Sequence, residues 1–191
     1  MPTVTVIDLR VSSFDAAAGV VTGISALRIA PEAEALAVPF DWQLPVAQSS
    51  AMDEMHHRQQ IAAFQPVWPD LCAYLAGGPV VAHGAAWTRT VLRKATLAVG
   101  VEWVPPMFLC TRRMARAFYP DRQSYDLDRL VAELDLTPQP PISGVSRCLA
   151  VAELYRRCLR RMHGAGLTDI AELDAFLARP GGFLDRGAGR S

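Results

Sequence analysis

Residues 80–88, Val-Val-Ala-His-Gly-Ala-Ala-Trp-Thr, carry the most informative change of pattern in the chain. The apolar residues 80–82 predict a short buried strand, and His83 and Gly84 predict the turn that ends it. A helix is predicted over residues 87–99. This stretch is where a succession of strands gives way to strands that alternate with helices, and that change decides the class of fold.

The residues before this stretch predict three strands in succession. Residues 3–9 and 20–30 are rich in β-branched types, and a third strand is predicted over residues 36–44. Pro39 interrupts the third run and favours the edge of a sheet, because proline cannot donate a hydrogen bond within a ladder. An antiparallel meander is the simplest arrangement of the three strands.

The residues after this stretch alternate between strand and helix. The predicted elements are a strand over residues 107–110, short helices over 112–118, 126–134 and 167–177, and a long helix over 146–162 whose apolar residues recur every three or four positions. Together they predict an α/β fold, a mixed sheet in which an antiparallel meander is followed by parallel strands, with helices on its faces.

The composition limits the classes of function. The 191 residues include 19 Lys or Arg and 19 Asp or Glu, and 51% of them are hydrophobic. This excludes a disordered chain and argues against a protein that binds DNA through a bulk positive charge. The sequence contains neither a recognisable signal peptide nor a long apolar run, and its four cysteines form no CxxC pair. We therefore expect a cytoplasmic protein without a membrane contact.

Five segments resemble, in order, the motifs of one family. They are residues 6–10 (VIDLR), 80–88 (VVAHGAAWT), 110–116 (CTRRMAR), 125–130 (YDLDRL) and 146–152 (SRCLAVA). They resemble the Asp-x-Glu strand and the V-A-H-N-A-x-F-D, C-T-x-x-x-A-R, Y-x-L-x-x-L and H-R-A-L-x-D-A motifs of the DnaQ-like (DEDDh) 3′–5′ exonucleases. That family includes the exonuclease domain of the DNA polymerase III epsilon subunit.

The resemblance implies an RNase H-like fold and a division of the chain. We expect an exonuclease-like domain over residues 1–163, followed by a helical extension and a flexible tail over residues 164–191.

The resemblance also implies a catalytic site, and this chain departs from it. In the family, four carboxylates hold two divalent metal ions, usually Mg²⁺, and a histidine acts as the general base. Asp8 matches the first carboxylate. The second carboxylate falls on Arg10, the third on Thr88, the histidine on Ser146 and the last carboxylate on Val151.

These replacements predict the loss of the metal site. Asp8 and Arg10 are two residues apart on a strand and share a face, so we expect a direct ion pair between them. The guanidinium of Arg10 would also place a permanent positive charge where the family holds a divalent cation. We therefore predict no stable two-metal site and expect no cofactor; Mg²⁺ or Mn²⁺ would be needed only if the family's activity is retained.

Polar residues around this site are candidates for contact with a ligand. The candidates for a nucleic-acid groove are Arg10, Ser12, Ser13, His83 and Arg147. A hydrogen-bonded structural role is the alternative for His83, which does not match the family's catalytic histidine.

Two further sets of charged residues have alternative interpretations. The carboxylates Asp121, Asp126 and Asp128 could supply a metal ligand outside the motifs, but capping of turns and helices is the favoured interpretation. The arginines of the long helix, Arg147, Arg156, Arg157, Arg160 and Arg161, predict a solvated basic face, with phosphate contact as the alternative.

The function predicted from these residues is binding without hydrolysis. We expect an exonuclease-like domain that has lost two-metal catalysis and binds a partner, either single-stranded nucleic acid or a protein. One alternative is an active metal-dependent 3′–5′ exonuclease that acts on DNA or RNA with displaced ligands. Another is an interaction domain that never contacts nucleic acid.

Overall fold

The computed structural model describes residues 2–12, 20–30, 38–44, 58, 61–139 and 142–178. Its centre is one sheet with the strand order β3-β2-β1-β4-β5. The strands are β1 (Val4–Val11), β2 (Val21–Ile29), β3 (Phe40–Gln43), β4 (Val80–Ala82) and β5 (Phe108–Cys110). The first three are antiparallel neighbours, whereas β4 and β5 run parallel to β1 and to each other.

Six helices cover the sheet in the part of the chain that the structure describes. They are α1 (Trp68–Leu75), α2 (Ala85–Ala98), α3 (Thr111–Phe118), α4 (Leu127–Glu133), α5 (Gly144–Gly164) and α6 (Ile170–Ala178), with a 3₁₀ turn (Gln65–Val67) before α1.

Alternation along β1 places one hydrophobic cluster on each side of the sheet. Val4 and Val6 face a cluster that contains the buried residues of α3, α4, α5 and α6. Ile7 and Leu9 face the second cluster, which contains the buried residues of α1 and α2. Because side chains alternate along a strand, Asp8 and Arg10 lie on the same face as Val4 and Val6, beneath α5.

The predicted fold class is confirmed. The antiparallel meander, the parallel strands that follow it and the flanking helices all occur in the predicted order, and β3 lies at an edge of the sheet. Three parts of the sequence-based predictions lie outside the described residues: residues 36–37 of the third strand, residues 52–57, 59 and 60 of a polar helix that the composition predicts over residues 52–64, and residues 179–191 of the tail. None of the helices that the structure describes combines the length and apolarity needed to cross a membrane.

The helix that follows residue 163 belongs to the packing of the core. Ile170, Leu173 and Leu177 are buried in the cluster beneath α5, and the ring of Phe176 stacks on that of Phe118 with 5.9 Å between centroids. The boundary at residue 163 stays a prediction, but α6 and the residues before it share one hydrophobic cluster.

Candidate functional site

Three polar side chains line up across the antiparallel strands beneath α5. Asp8 of β1 is opposite Ser25 of β2, and Ser25 is opposite Asp41 of β3. The hydroxyl of Ser25 donates a hydrogen bond to Oδ1 of Asp41 at 2.5 Å. Ser25 therefore stands between the first carboxylate of the motif and a second carboxylate that the sequence motifs do not include.

Asp8 forms its ion pair with Arg147 of α5. Nε of Arg147 donates to Oδ1 of Asp8 at 3.0 Å, and its Nη1 donates to Oδ1 of Asp128 at 3.2 Å. The side chains of Asp8 and Arg147 are 17% and 29% exposed, so water screens this pair only in part. One guanidinium thus bridges a carboxylate of the sheet and a carboxylate in the first turn of α4.

The Asp8 carboxyl is nevertheless in an unfavourable environment for charge. Burial raises its pKa above the ordinary value, and this effect is larger than the lowering that Arg147 and Arg10 cause. The ion pair therefore compensates for part of the cost of burying Asp8 and does not make the carboxylate unusually acidic.

Arg10 turns away from Asp8 and reaches towards β3. Its Nη2 lies 3.7 Å from Oδ1 of Asp41 and 3.4 Å from the carbonyl oxygen of Trp42, to which it donates. The partner of Arg10 across the strand pair is Gly23, where an added Cβ would lie 2.4 Å from Nε of Arg10. The absence of a side chain at Gly23 leaves the space that the guanidinium occupies.

The predicted ion pair between Asp8 and Arg10 is therefore wrong. The spacing correctly placed both residues on one face, but each finds its partner on another element: Asp8 on α5 and Arg10 on β3. The Cα atoms of residues two apart on an extended strand are separated by about 7 Å. A long arginine side chain therefore pairs more readily with a carboxylate on a neighbouring element than with one on its own strand.

The side chains at the other positions that match family ligands are buried or bonded to the backbone. Val151 is fully buried in the cluster beneath α5, and Thr88 is only 5% exposed in α2. Oγ of Ser146 accepts from the backbone N–H of Ser143 at 3.0 Å and donates to its carbonyl oxygen at 2.6 Å, which ties down the start of α5. None of the three side chains is a carboxylate or an imidazole.

The remaining residues of the predicted groove also bond within the protein. Oγ of Ser12 accepts from the backbone N–H of Val20 at 3.2 Å, at the entrance to β2. Ser13 lies outside the described residues. With both charges of Arg10 and Arg147 paired to carboxylates, we find no free cation among Arg10, Ser12, His83 and Arg147.

His83 joins three segments by hydrogen bonds. Its Nε2 lies 2.8 Å from the carbonyl oxygen of Tyr125, and its Nδ1 lies 3.0 Å from Oγ1 of Thr111. A carbonyl can only accept, so Nε2 carries the proton and Nδ1 accepts from the hydroxyl of Thr111. Burial, with smaller effects from Arg112 and Arg147, lowers the pKa of His83 to about 4. These contacts agree with the structural alternative for this residue.

The basic face of α5 is likewise engaged by neighbouring groups. Arg157 pairs with Glu153 at 2.7 Å and donates to the carbonyl oxygens of Leu134 and Asp135. Arg161 lies over the ring of Tyr119, with 4.2 Å from its Cζ to the centroid. These arginines connect α5 to the loops beside it. Long charged side chains can pack along a neighbouring surface while their charged groups remain in contact with water.

The residues present do not fit two divalent cations. Hard cations need several oxygen ligands, and Asp8 is the one carboxylate among the five matched positions. A guanidinium lies within 3.2 Å of both Asp8 and Asp128, where it would repel a cation by about 4 kcal/mol per unit charge at an effective dielectric constant of 20. Within the described residues, no three His, Cys, Asp or Glu side chains are arranged to hold a metal ion.

Sequence reasoning missed the roles of Asp41 and Asp128. Asp128 stands inside the motif-like segment 125–130 and was expected to cap a turn or a helix, but its carboxylate binds Arg147. Asp41 carries no motif signal, and only the register of β2 with β3 brings it to Ser25 and Arg10.

Comparisons with known proteins are consistent with this geometry at the level of the fold. Neither a family model nor a curated protein sequence matches the chain. Among solved structures, Exonuclease X in complex with 5′ overhanging duplex DNA is 19% identical, with a TM-score of 0.59 over 86% of this chain and 94% of that one. The chain has the RNase H-like exonuclease fold.

Two further structures with this fold have different ligands. The nuclease domain of 3′hExo, a DEDDh family member bound to rAMP, is 10% identical, with a TM-score of 0.58 over 87% of this chain and 94% of that one. Brucella melitensis NrnC with bound Mg²⁺ is 16% identical, with a TM-score of 0.54 over 91% of this chain and 81% of that one. The resemblance to the epsilon subunit stays a prediction.

Proposed function

We propose that this chain is an exonuclease-fold domain that no longer hydrolyses phosphodiesters through two metal ions and acts by binding. The main support for the proposal is the position of the Arg147 guanidinium. It donates a hydrogen bond to Asp8 at 3.0 Å and another to Asp128 at 3.2 Å. This internal cation lies between Asp8 and Asp128, the two carboxylates to which a metal ion would have to bind.

Among the described residues at the matched positions, none can act as the family's general base. Ser146 stands where the family has its histidine, and its hydroxyl is used at the start of α5. His83 is the nearest imidazole of the motifs, but both of its nitrogens are hydrogen-bonded and its pKa is about 4. Activation of water by the family mechanism would therefore have neither its metals nor its base.

Binding is the part of the family's function that this fold can still support. Structures with the same fold contain duplex DNA and rAMP, which makes nucleic acid the first class of partner to test. A protein partner is the alternative.

The test is an exonuclease assay on the purified full-length chain. Labelled single-stranded DNA and RNA are incubated with the protein and Mg²⁺, and separately with Mn²⁺, and the products are resolved by length. We expect no shortening beyond that seen without protein.

The matched control is the Asp8→Asn variant, prepared in parallel. Shortening that depends on metal and on the wild-type chain, and that is absent with Asp8→Asn, would overturn the proposal in favour of an active exonuclease with displaced ligands. Equal shortening by both preparations would identify a contaminating nuclease, and the proposal would stand.

A further inference from the structure

A cavity of about 660 Å³ opens between α2, β5, α3 and α6, beside the groove that contains Asp8. Its charged wall consists of Arg89 on α2 and of Arg112, Arg113 and Arg116 on α3, and we call it the arginine cavity. Asp174 of α6 is the one acidic residue in its lining. A volume in this range is typical of sites that enclose a nucleotide-sized ligand.

The positive charge of this cavity is largely uncompensated. Within the described residues, Arg89, Arg113 and Arg116 have no carboxylate within ion-pair distance; Arg113 donates to the carbonyl oxygen of Leu177, and Arg116 lies over the ring of Tyr125. Arg112 pairs with Asp126, whose side chain is 68% exposed, while Nε of Arg112 is buried without a hydrogen-bond partner. Buried guanidinium N–H groups normally find an acceptor, so Arg112 is incompletely satisfied within the part of the chain that the structure describes.

The helix ends add to the same positive potential. The start of α2 (residues 84–86) and the start of α3 (Cys110, Arg112 and Arg113) both line the cavity, and neither helix has an acidic residue in its first turn. Acidic side chains are favoured there because the first N–H groups of a helix are unpaired and the helix dipole is positive. Arg112 and Arg113 in the first turn of α3 are therefore unfavourable to the isolated fold and favourable to a bound anion.

The uncharged wall of the cavity is partly aromatic, and this favours an anion that carries unpaired bases. Trp87 and Phe108 line it together with Met107, a residue that is 47% exposed. Aromatic surfaces beside arginines are the combination on which unpaired bases stack while guanidinium groups bind the phosphates. An acidic peptide would satisfy the arginines but would make no particular use of the aromatic wall.

We propose that the arginine cavity binds the phosphodiester backbone of single-stranded nucleic acid. This proposal rests on the proposed function, because it names the surface and the class of partner through which the domain would act by binding. It moves the principal contact away from the predicted groove, whose arginines are paired with Asp8, Asp41 and Asp128.

The experiment measures binding of the full-length chain to fluorescent oligothymidylate and oligouridylate by anisotropy, in EDTA and over a range of salt concentrations. The variant is Arg89→Gln with Arg116→Gln, and the matched control is Arg129→Gln with Arg160→Gln, which removes the same charge from outside the cavity. Loss of two phosphate contacts should weaken binding about 50-fold at about 50 mM salt and reduce the slope of log K against log salt by about 1.4. The control should stay within about threefold of the wild type.

Three outcomes would overturn the proposal. They are no binding of the wild type at low salt, equal weakening by the two double variants, and a polyglutamate that competes with the oligonucleotide at equal charge concentration. The last result would favour an acidic protein partner. All three leave the exonuclease assay unaffected, so failure of this inference can be distinguished from failure of the proposed function.

Discussion

The groove around Asp8 and the arginine cavity are neighbours on the same sheet, and they differ in how their charges are paired. In the groove, Arg10 and Arg147 each lie beside a carboxylate, and Asp8, Asp41 and Asp128 outnumber them. In the cavity, four arginines line one wall, with Asp126 as the carboxylate partner of Arg112 alone. The charge of Arg112 in the cavity wall and that of Arg147 in the groove both lower the pKa of His83.

This contrast separates charges that contribute to folding from charges that have no carboxylate partner in the described part of the chain. Groups that pair within the chain contribute to folding and have little left to offer a partner, whereas unpaired charges cost some stability and remain available. Resemblance to the family's motifs therefore leads to a groove whose charges are paired, whereas the uncompensated charge lies in the arginine cavity.

The strongest test of the structural character of the groove is Val151→Asp, which restores the family's last carboxylate. Val151 is fully buried among apolar residues, so an unpaired carboxylate there should lower the free energy of unfolding by about 4 kcal/mol. Urea denaturation measures the loss, and Val151→Ala, expected to cost about 2 kcal/mol, controls for lost packing. Wild-type stability, or a large stabilisation of Val151→Asp by Mn²⁺, would show that the groove still admits a cation.

Arg147→Ala should have the next largest effect, because it leaves the buried Asp8 carboxylate without its donor. We expect a loss of about 2 kcal/mol at pH 7. Arg147 makes the largest contribution that lowers the pKa of Asp8, so the pKa in the folded variant rises further above its unfolded value. An acid with a raised folded pKa binds a proton more readily when folded, and the loss should therefore shrink as the pH falls towards that pKa.

Denaturation at several pH values, repeated in an Asp8→Asn background, separates charge from packing. The pH dependence of the Arg147→Ala effect should vanish with Asp8→Asn. A loss that is constant with pH in both backgrounds would mean that Arg147 acts through its aliphatic stem.

His83 should lower the free energy of unfolding as the pH falls, which is the opposite of the effect expected from the raised pKa of Asp8. Its pKa is about 4 when folded against 6.5 for a model histidine, so its contribution is complete above pH 6.5 and is lost as the pH falls to about 4. We expect a loss of about 3 kcal/mol between pH 7 and pH 4, and a flatter profile for His83→Gln. An NMR titration that places the pKa of His83 near 6.5 would contradict this prediction.

Gly23→Ala tests the path of Arg10 across β2 and should have a small effect. The new Cβ would lie 2.4 Å from Nε of Arg10, and the guanidinium would have to leave Asp41 and Trp42. We expect a loss of about 1 kcal/mol in the wild type. In an Arg10→Ala background, the same substitution should be neutral or stabilising, because alanine is better tolerated than glycine within a strand. An equal loss in both backgrounds would place Arg10 elsewhere.

The smallest effect on stability is expected in the arginine cavity. Arg89→Gln with Arg116→Gln removes two charges that have no carboxylate partner in the described part of the chain, so the free energy of unfolding should stay within about 0.5 kcal/mol of the wild type. Denaturation of this variant beside Arg147→Ala compares the two regions directly. A loss as large as that of Arg147→Ala would mean that the cavity arginines also serve the fold.

The sequence alone predicted the order of the strands and helices and the fold class. The relevant signals are local: β-branched runs for β1 and β2, proline at the edge strand, and apolar spacing along α5, each of which acts through nearby backbone and side-chain geometry. The same local signals placed Asp8 and Arg10 on one face and showed that Arg10, Thr88, Ser146 and Val151 differ from the family's ligands.

Tertiary structure alone decided which charges meet. Asp8 and Arg147 are 139 positions apart and come together because α5 packs across β1. Arg10 reaches Asp41 because Gly23 leaves an open path across β2, and the arginine cavity exists because α2 and α3 start at adjacent parallel strands. Ion pairing depends on distance and burial, which periodicity along a chain does not contain, and so the sequence could name the charged residues but not their partners.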